Sequence, residues 1–99
     1  ETLKNFAACD SLYELGLKRL PDNDLLLNNY GYSLAERTIH LQRALQMVQK
    51  ALQKKPDNSA YLDTMGWIYY KLGRFDEAEI FIKKSLKKRE NSAVVLEHL

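Results

Sequence analysis

Apolar residues return three or four positions apart along most of the chain, with charged and amide residues between them, and no stretch alternates as a half-buried strand would. The pattern predicts helices throughout. One amphipathic helix covers about Asp24 to Glu36, and a second runs from about Leu41 to Lys54. A third opens at Asn58-Ser59, whose side-chain oxygens suit the orphan amides of a first turn, and carries Leu62, Met65, Trp67, Tyr69 and Tyr70 before Leu72-Gly73. A fourth runs from about Phe75 to Lys88, with Phe75, Ala78, Ile82, Ser85 and Leu86 on one buried stripe and lysines opposite.

These helices form two copies of one pattern. Pro21-Asp22-Asn23 returns as Pro56-Asp57-Asn58, 35 residues on, followed by the pairs Leu27 and Leu62, Tyr30 and Met65, and Gly31 and Gly66. Ala44 and Ala78, like Ala51 and Ser85, stand only 34 apart. One extra residue therefore lies between Gly31 and Ala44, and a turn tolerates it better than a helix interior. The first turn, Arg37-Thr38-Ile39-His40, also lacks the glycine found at Gly73. Within each copy the glycine on the first helix and the alanine on the second leave room for Leu27, Leu62, Leu41 and Phe75 to interlock.

Leu62, Met65-Gly66, Tyr69, Phe75, Ala78, Ile82 and Ser85, matched in phase by Leu27, Tyr30-Gly31, Leu34, Leu41, Ala44, Val48, Ala51 and Pro56, resemble the tetratricopeptide repeat, a 34-residue helix-turn-helix unit. Three positions depart from the pattern: Leu stands for the first Trp, Tyr30 for Leu, and Glu90 for Pro. The resemblance implies an all-α solenoid of antiparallel helix pairs, here called helix A and helix B, in a right-handed superhelical stack. It extends to both ends. Phe6, Cys9, Tyr13 and Gly16 fall in helix B slots of a first repeat (residues 1–22), full repeats cover 23–57 and 58–91, and 92–99 starts a further repeat whose helix A opens with Ala93. The phase thus predicts a longer natural protein. The Tyr30 to Arg37 stretch and Tyr61 to Trp67 resemble bacterial members, some of the cell envelope, and leave cytoplasm and envelope open as compartments.

Composition narrows the chemistry. A net charge of +2 implies no polyanionic partner by itself. No run of 18 apolar residues marks a membrane span. Cys9 can form no intramolecular disulfide, and its small-residue slot predicts a buried packing role. His40 and His98 lie far apart, with no HExxH, CxxC or phosphate-binding glycine loop, while Asp76-Glu77 suits the dipole of a helix start. No catalytic residue, metal site or cofactor is expected.

Function must then reside on a surface. In tetratricopeptide arrays the helices A line a concave groove, and the resemblance places Leu25, Asn28, Asn29, Tyr32, Ala35 and Glu36 of one copy and Ala60, Asp63, Thr64, Trp67, Tyr70 and Lys71 of the next along it, with Val94, Glu97 and His98 beyond. Of these, Asn28, Asn29, Tyr32, Asp63, Thr64, Trp67, Tyr70 and Lys71 are the candidate partner-binding residues, since aromatics bring contact area at low entropy cost and Asn pairs with peptide backbone. Trp67 has an alternative role in packing between helices, and Tyr69 fills a packing slot. A chaperone-tail clamp of the family's kind is matched only at Asn29. The expected partner is a protein or peptide. Two other readings are a convex basic face, Lys50, Lys54, Lys55, Lys83, Lys84, Lys87, Lys88 and Arg89, meeting nucleic acid or anionic membrane, and self-association through an exposed terminal helix. The basic face reads more simply as solvated lysines with no interleaved aromatics.

Overall fold

The computed structural model describes residues 6–98, with side chains described for residues 6–90. These form five α-helices in chain order: α1 (Phe6–Arg19), α2 (Asp24–Glu36), α3 (Leu41–Lys54), α4 (Ser59–Lys71) and α5 (Phe75–His98). The start of α4 obeys the capping chemistry read from the sequence, and α2 repeats it, whereas α3 begins without a side-chain cap. Asn23 Oδ1 accepts from the Leu26 amide at 2.9 Å, and Asn58 Oδ1 accepts from the Tyr61 amide at 3.0 Å. Gly73 takes φ +80° after α4, and Thr38, its counterpart after α2, takes φ 55°. The residue that lengthens the first repeat lies in this turn, where His40 adopts φ 48° before α3 begins.

Each hairpin closes on its glycine. A methyl at Gly31 would lie 2.6 Å from Val48 Cγ2, and one at Gly66 would lie 2.6 Å from Ile82 Cδ1, so the two pairs approach in the same register. Leu34, Val48, Met65 and Ile68 are fully buried at the centre of one core that runs from α2 through α4 and reaches Ala78. Burying each such side chain contributes about 1.5–3 kcal/mol. Between repeats, the Tyr61 hydroxyl donates to Asp24 Oδ2 at 2.6 Å, and burial together with that carboxylate pushes the phenol up to about 12. Ser85 closes the second hairpin by donating to the Ser59 carbonyl at 2.8 Å.

The two ends differ from expectation. Helix α1 buries no residue, and Cys9 is exposed rather than packed. In the full repeats a helix A covers the small slot, and no such helix precedes α1 among the described residues. Partly buried Tyr13 and Leu17 pack α1 against the core, and polar bonds through Asp10 and Glu14 add to the attachment. At the other end, α5 passes through Asn91-Ser92 without the expected turn and continues to His98. Pro21 and Pro56 lack the amide that a helix would need at the matching slot, whereas Glu90 retains it and lets the helix run on. The side chains of Val94, Glu97 and His98 lie outside the described ones, as does Leu99.

Candidate protein-binding groove

Of the eight candidate partner-binding residues, Asn28, Asn29 and Tyr32 line one hollow, Trp67 and Tyr70 line another, and Asp63, Thr64 and Lys71 line neither. The first, of about 690 Å³, lies between α1 and α2 and is lined by Asn28, Asn29, Tyr32 and Glu36 together with Phe6, Tyr13, Ser33 and Arg37. Asn28 is buried, its Nδ2 reaches only Asn29 Oδ1 at 3.4 Å, and its Oδ1 has no hydrogen-bond partner among the described residues. Asn29 is exposed. Tyr32 is 45 % exposed and donates to Glu36 Oε2 at 2.7 Å, a bond that pushes its phenol above the usual range.

The second hollow, of about 540 Å³, lies between α4 and α5 and takes in Trp67 and Tyr70. The Trp67 ring stacks on Tyr70 at 5.4 Å between centroids, Lys71 Nζ sits 4.8 Å over it, and its body packs against the core. Trp67 thus serves packing and surface at once, and its buried Nε1 has no acceptor among the described residues. Tyr69 is a core residue stacked on Phe81. Thr64 is buried and donates to the Ala60 carbonyl of its own helix at 3.0 Å, and Ala35 is fully buried, so neither offers its side chain to solvent. Asp63 pairs with Arg89 at 3.6 Å.

Sequence reasoning missed Phe6, Tyr13 and Arg37. Arg37 donates to both carboxylate oxygens of Asp10, at 2.7 and 3.2 Å, while its guanidinium lies 4.4 Å from the Phe6 ring centroid, so a turn residue fastens α1 and shapes the hollow. Tyr13 stacks on Tyr30 at 5.0 Å. Arg43 Nη2 donates to Glu14 Oε1 at 2.8 Å and Tyr30 donates to Glu14 Oε2 at 2.8 Å. The Arg43 bond, seconded by Tyr30, overcomes the opposing effect of burial and holds the Glu14 carboxyl at about 2. The signal for this cluster was the alternation of Asp10, Tyr13 and Glu14 on one face of α1.

On the opposite side the lysines are interleaved with carboxylates. Lys50 meets Asp22 at 2.6 Å, Lys55 meets Asp24 at 3.4 Å, Lys83 meets Glu79 at 3.2 Å and Lys88 meets Asp57 at 3.2 Å. Such surface pairs add little stability, but they break up a continuous positive field. Among the described residues no helix is long and apolar enough to cross a membrane, and no cluster of three or more metal-ligating side chains forms.

The pattern described as the tetratricopeptide repeat matches residues 40–96, more than half of the chain. The chain belongs to the tetratricopeptide-repeat family. A TPR repeat-containing protein of Pseudomonas aeruginosa is 40% identical over 72 residues, which is 73% of this chain and 12% of that relative. The chain therefore spans about an eighth of the relative's length, and the bacterial character read from the sequence agrees with the match. Tetratricopeptide repeats generally mediate protein–protein interaction, and proteins of the family are typically scaffolds rather than catalysts.

Proposed function

We propose that the chain is a protein-interaction scaffold that takes a peptide or helix of a protein partner along α2 and α4, with the α1–α2 hollow as its anchoring end. The observation that carries this reading is Asn28: a buried amide oxygen without a donor, in a hollow bounded by Phe6, Tyr13 and Tyr32. Leaving such an acceptor unpaired costs about 1–3 kcal/mol, which a partner's backbone N–H would recover on binding. Asn29 and Tyr32 stand exposed beside it, and Asp63, Trp67, Tyr70 and Lys71 extend the surface along α4; Thr64 shapes that helix from within.

The test is capture from bacterial lysate by the parent chain, by an Asn28→Leu/Tyr32→Ala variant and by a Lys83→Glu/Lys84→Glu/Lys87→Glu variant, all matched in helicity. A protein partner lost only with the first variant is the expected result. Asn28→Leu alone should also be at least as stable as the parent in urea, because it removes the orphaned oxygen. Capture of nucleic acid or anionic lipid, lost with the charge reversal and at high salt, would overturn the reading.

A further inference from the structure

The α1–α2 hollow is rich in acceptors and poor in free donors. Asn28, Tyr32 and Glu36 follow at intervals of four, so they stand one above another on a single face of α2. Asn28 is only 7 % exposed, and its Oδ1 meets no donor among the described residues. The Glu36 carboxylate accepts from the Tyr32 hydroxyl at 2.7 Å and forms no ion pair among the described residues.

Arg37, the one cation in the described lining, is already engaged. Its Nε donates to the Ser33 carbonyl at 3.3 Å, its Nη1 to Asp10 Oδ2 at 3.2 Å, and its Nη2 to Asp10 Oδ1 at 2.7 Å and Ser33 Oγ at 3.3 Å. Asp10 therefore matches its charge, and the guanidinium keeps little to offer an anion. What stays open is negative. The Tyr32 phenol, raised first by its bond to Glu36 and by burial, is raised further by the charge of Asp63 on α4, so a second carboxylate acts at the same place.

Aromatic faces complete the lining. Phe6 is 41 % exposed and Tyr32 45 % exposed, and such faces attract cations. The wall already holds one guanidinium in this manner, since Arg37 lies 4.4 Å from the Phe6 centroid while forked on Asp10. An anionic group entering the hollow would meet Glu36 and an orphaned oxygen, with no free cation to receive it. A purely apolar group would leave the Asn28 oxygen unpaired.

We infer that the α1–α2 hollow reads an arginine of the protein partner, whose backbone N–H pairs with Asn28 Oδ1 while its guanidinium lies against Tyr32 and pairs with Glu36. The Cα atoms of Asn28 and Glu36 stand about 12 Å apart along the helix axis, and Glu36 folds back toward the Tyr32 hydroxyl, so a long unbranched side chain spans the interval with its stem on the ring. The assignment rests on the anchoring role proposed for the same hollow and gives that anchor its side-chain preference.

Amide shifts of the nitrogen-15-labelled chain test it, in titrations with capped heptapeptides of serine and alanine whose central residue is arginine, its neutral isostere citrulline, lysine or glutamate. The arginine peptide should move α2 amides and bind about tenfold tighter than the citrulline peptide. Isosteric peptides compared at one ionic strength leave the docking of α1 the same in both. Glu36→Gln, which keeps an acceptor for Tyr32, should weaken the arginine peptide about threefold and leave the citrulline peptide unchanged. Asn28→Leu should weaken both alike. Equal binding of arginine and citrulline, lost in Asn28→Leu, would overturn the arginine preference and keep the anchor. Arginine binding that needs Glu36 but ignores Asn28→Leu would keep the preference and remove the anchor. Tighter binding of lysine or glutamate than of arginine, or α2 amides that ignore all four peptides at millimolar concentration, would also overturn the assignment.

Discussion

Replacing Gly31 by alanine puts the hairpin register to a quantitative test. The added methyl would lie 2.6 Å from Val48 Cγ2 and 3.3 Å from the Ala44 carbonyl oxygen. Val48 is fully buried and β-branched, so its methyl can yield only by rotating χ1 out of the rotamer a helix prefers. Alanine is the better helix former by about 0.8–1.0 kcal/mol. Overpacking a tight core costs about 1–3 kcal/mol, so the net change is expected to be a loss of up to about 2 kcal/mol, with no gain. Val48→Ala alone removes two methyl groups, worth about 1.6 kcal/mol by transfer before any cavity cost. In the double variant the new methyl enters the vacated space and the propensity gain is no longer opposed. Gly31→Ala/Val48→Ala should therefore be more stable than Val48→Ala, by up to about 1 kcal/mol. Urea denaturation followed by far-UV circular dichroism on the four chains gives the cycle directly. Additivity of the two changes within about 0.5 kcal/mol, or a Gly31→Ala chain more stable than the parent, would refute the close approach. Gly66→Ala meets a similar backbone contact, the Ala78 carbonyl oxygen at 3.2 Å, but should lose less because its two nearest atoms belong to Ile82, which is only partly buried beside an open hollow and can swing aside.

Two further outcomes follow from the polar contacts and the turn. Glu14 has a folded-state value of about 2 against an ordinary 4.5, so its contribution to holding α1 is complete above pH 4.5 and is lost as pH falls from there toward 2. Hydrogen exchange should show α1 amides losing protection over that window while α3 and α4 keep theirs, with Glu14→Gln flattening the dependence. Protection of α1 that ignores pH would contradict the attachment described. Thr38 sits at φ 55°, where a non-glycine residue is disfavoured by about 1–2 kcal/mol, and glycine returns about 0.5–1 kcal/mol of that through its freer unfolded chain. Thr38→Gly should raise the urea midpoint by an amount worth up to about 1 kcal/mol, and an unchanged or lowered midpoint would remove the argument for strain.

The helix boundaries were legible because local chemistry marks them: Asn23 and Asn58 cap, Pro21 and Pro56 interrupt, and Gly73 turns. The packing register was legible because a glycine on one helix and a small residue on the next recur in phase. Periodicity, however, identifies a face and not what lies against it. The resemblance places Asn28 and Thr64 on the concave stripe, yet both are buried. Trp67 and Tyr70 share that stripe with Tyr32, yet open on a different hollow. Cys9 was expected inside because its slot is small, but a slot is buried only when its covering helix is present. The continuation of α5 depended on the one place where the repeat lacks its proline, and a missing breaker is a weak signal beside the many positions matched in phase.

The polar attachment of α1 bears on how any affinity of this protein is interpreted. Phe6 and Tyr13 form one side of the α1–α2 hollow, but the helix that carries them contributes no fully buried residue, and beside the partial packing of Tyr13 and Leu17 it is fastened by charged hydrogen bonds from Arg37 and Arg43. A partner that needs this wall binds only the fraction of molecules in which α1 is docked, and its apparent dissociation constant rises as that fraction falls. Salt screens the attaching pairs, most of all the exposed Arg43–Glu14 pair. Binding could then weaken with ionic strength even for a ligand without charge, so a steep salt dependence in this protein would report the integrity of its own wall before it reported the electrostatics of the partner.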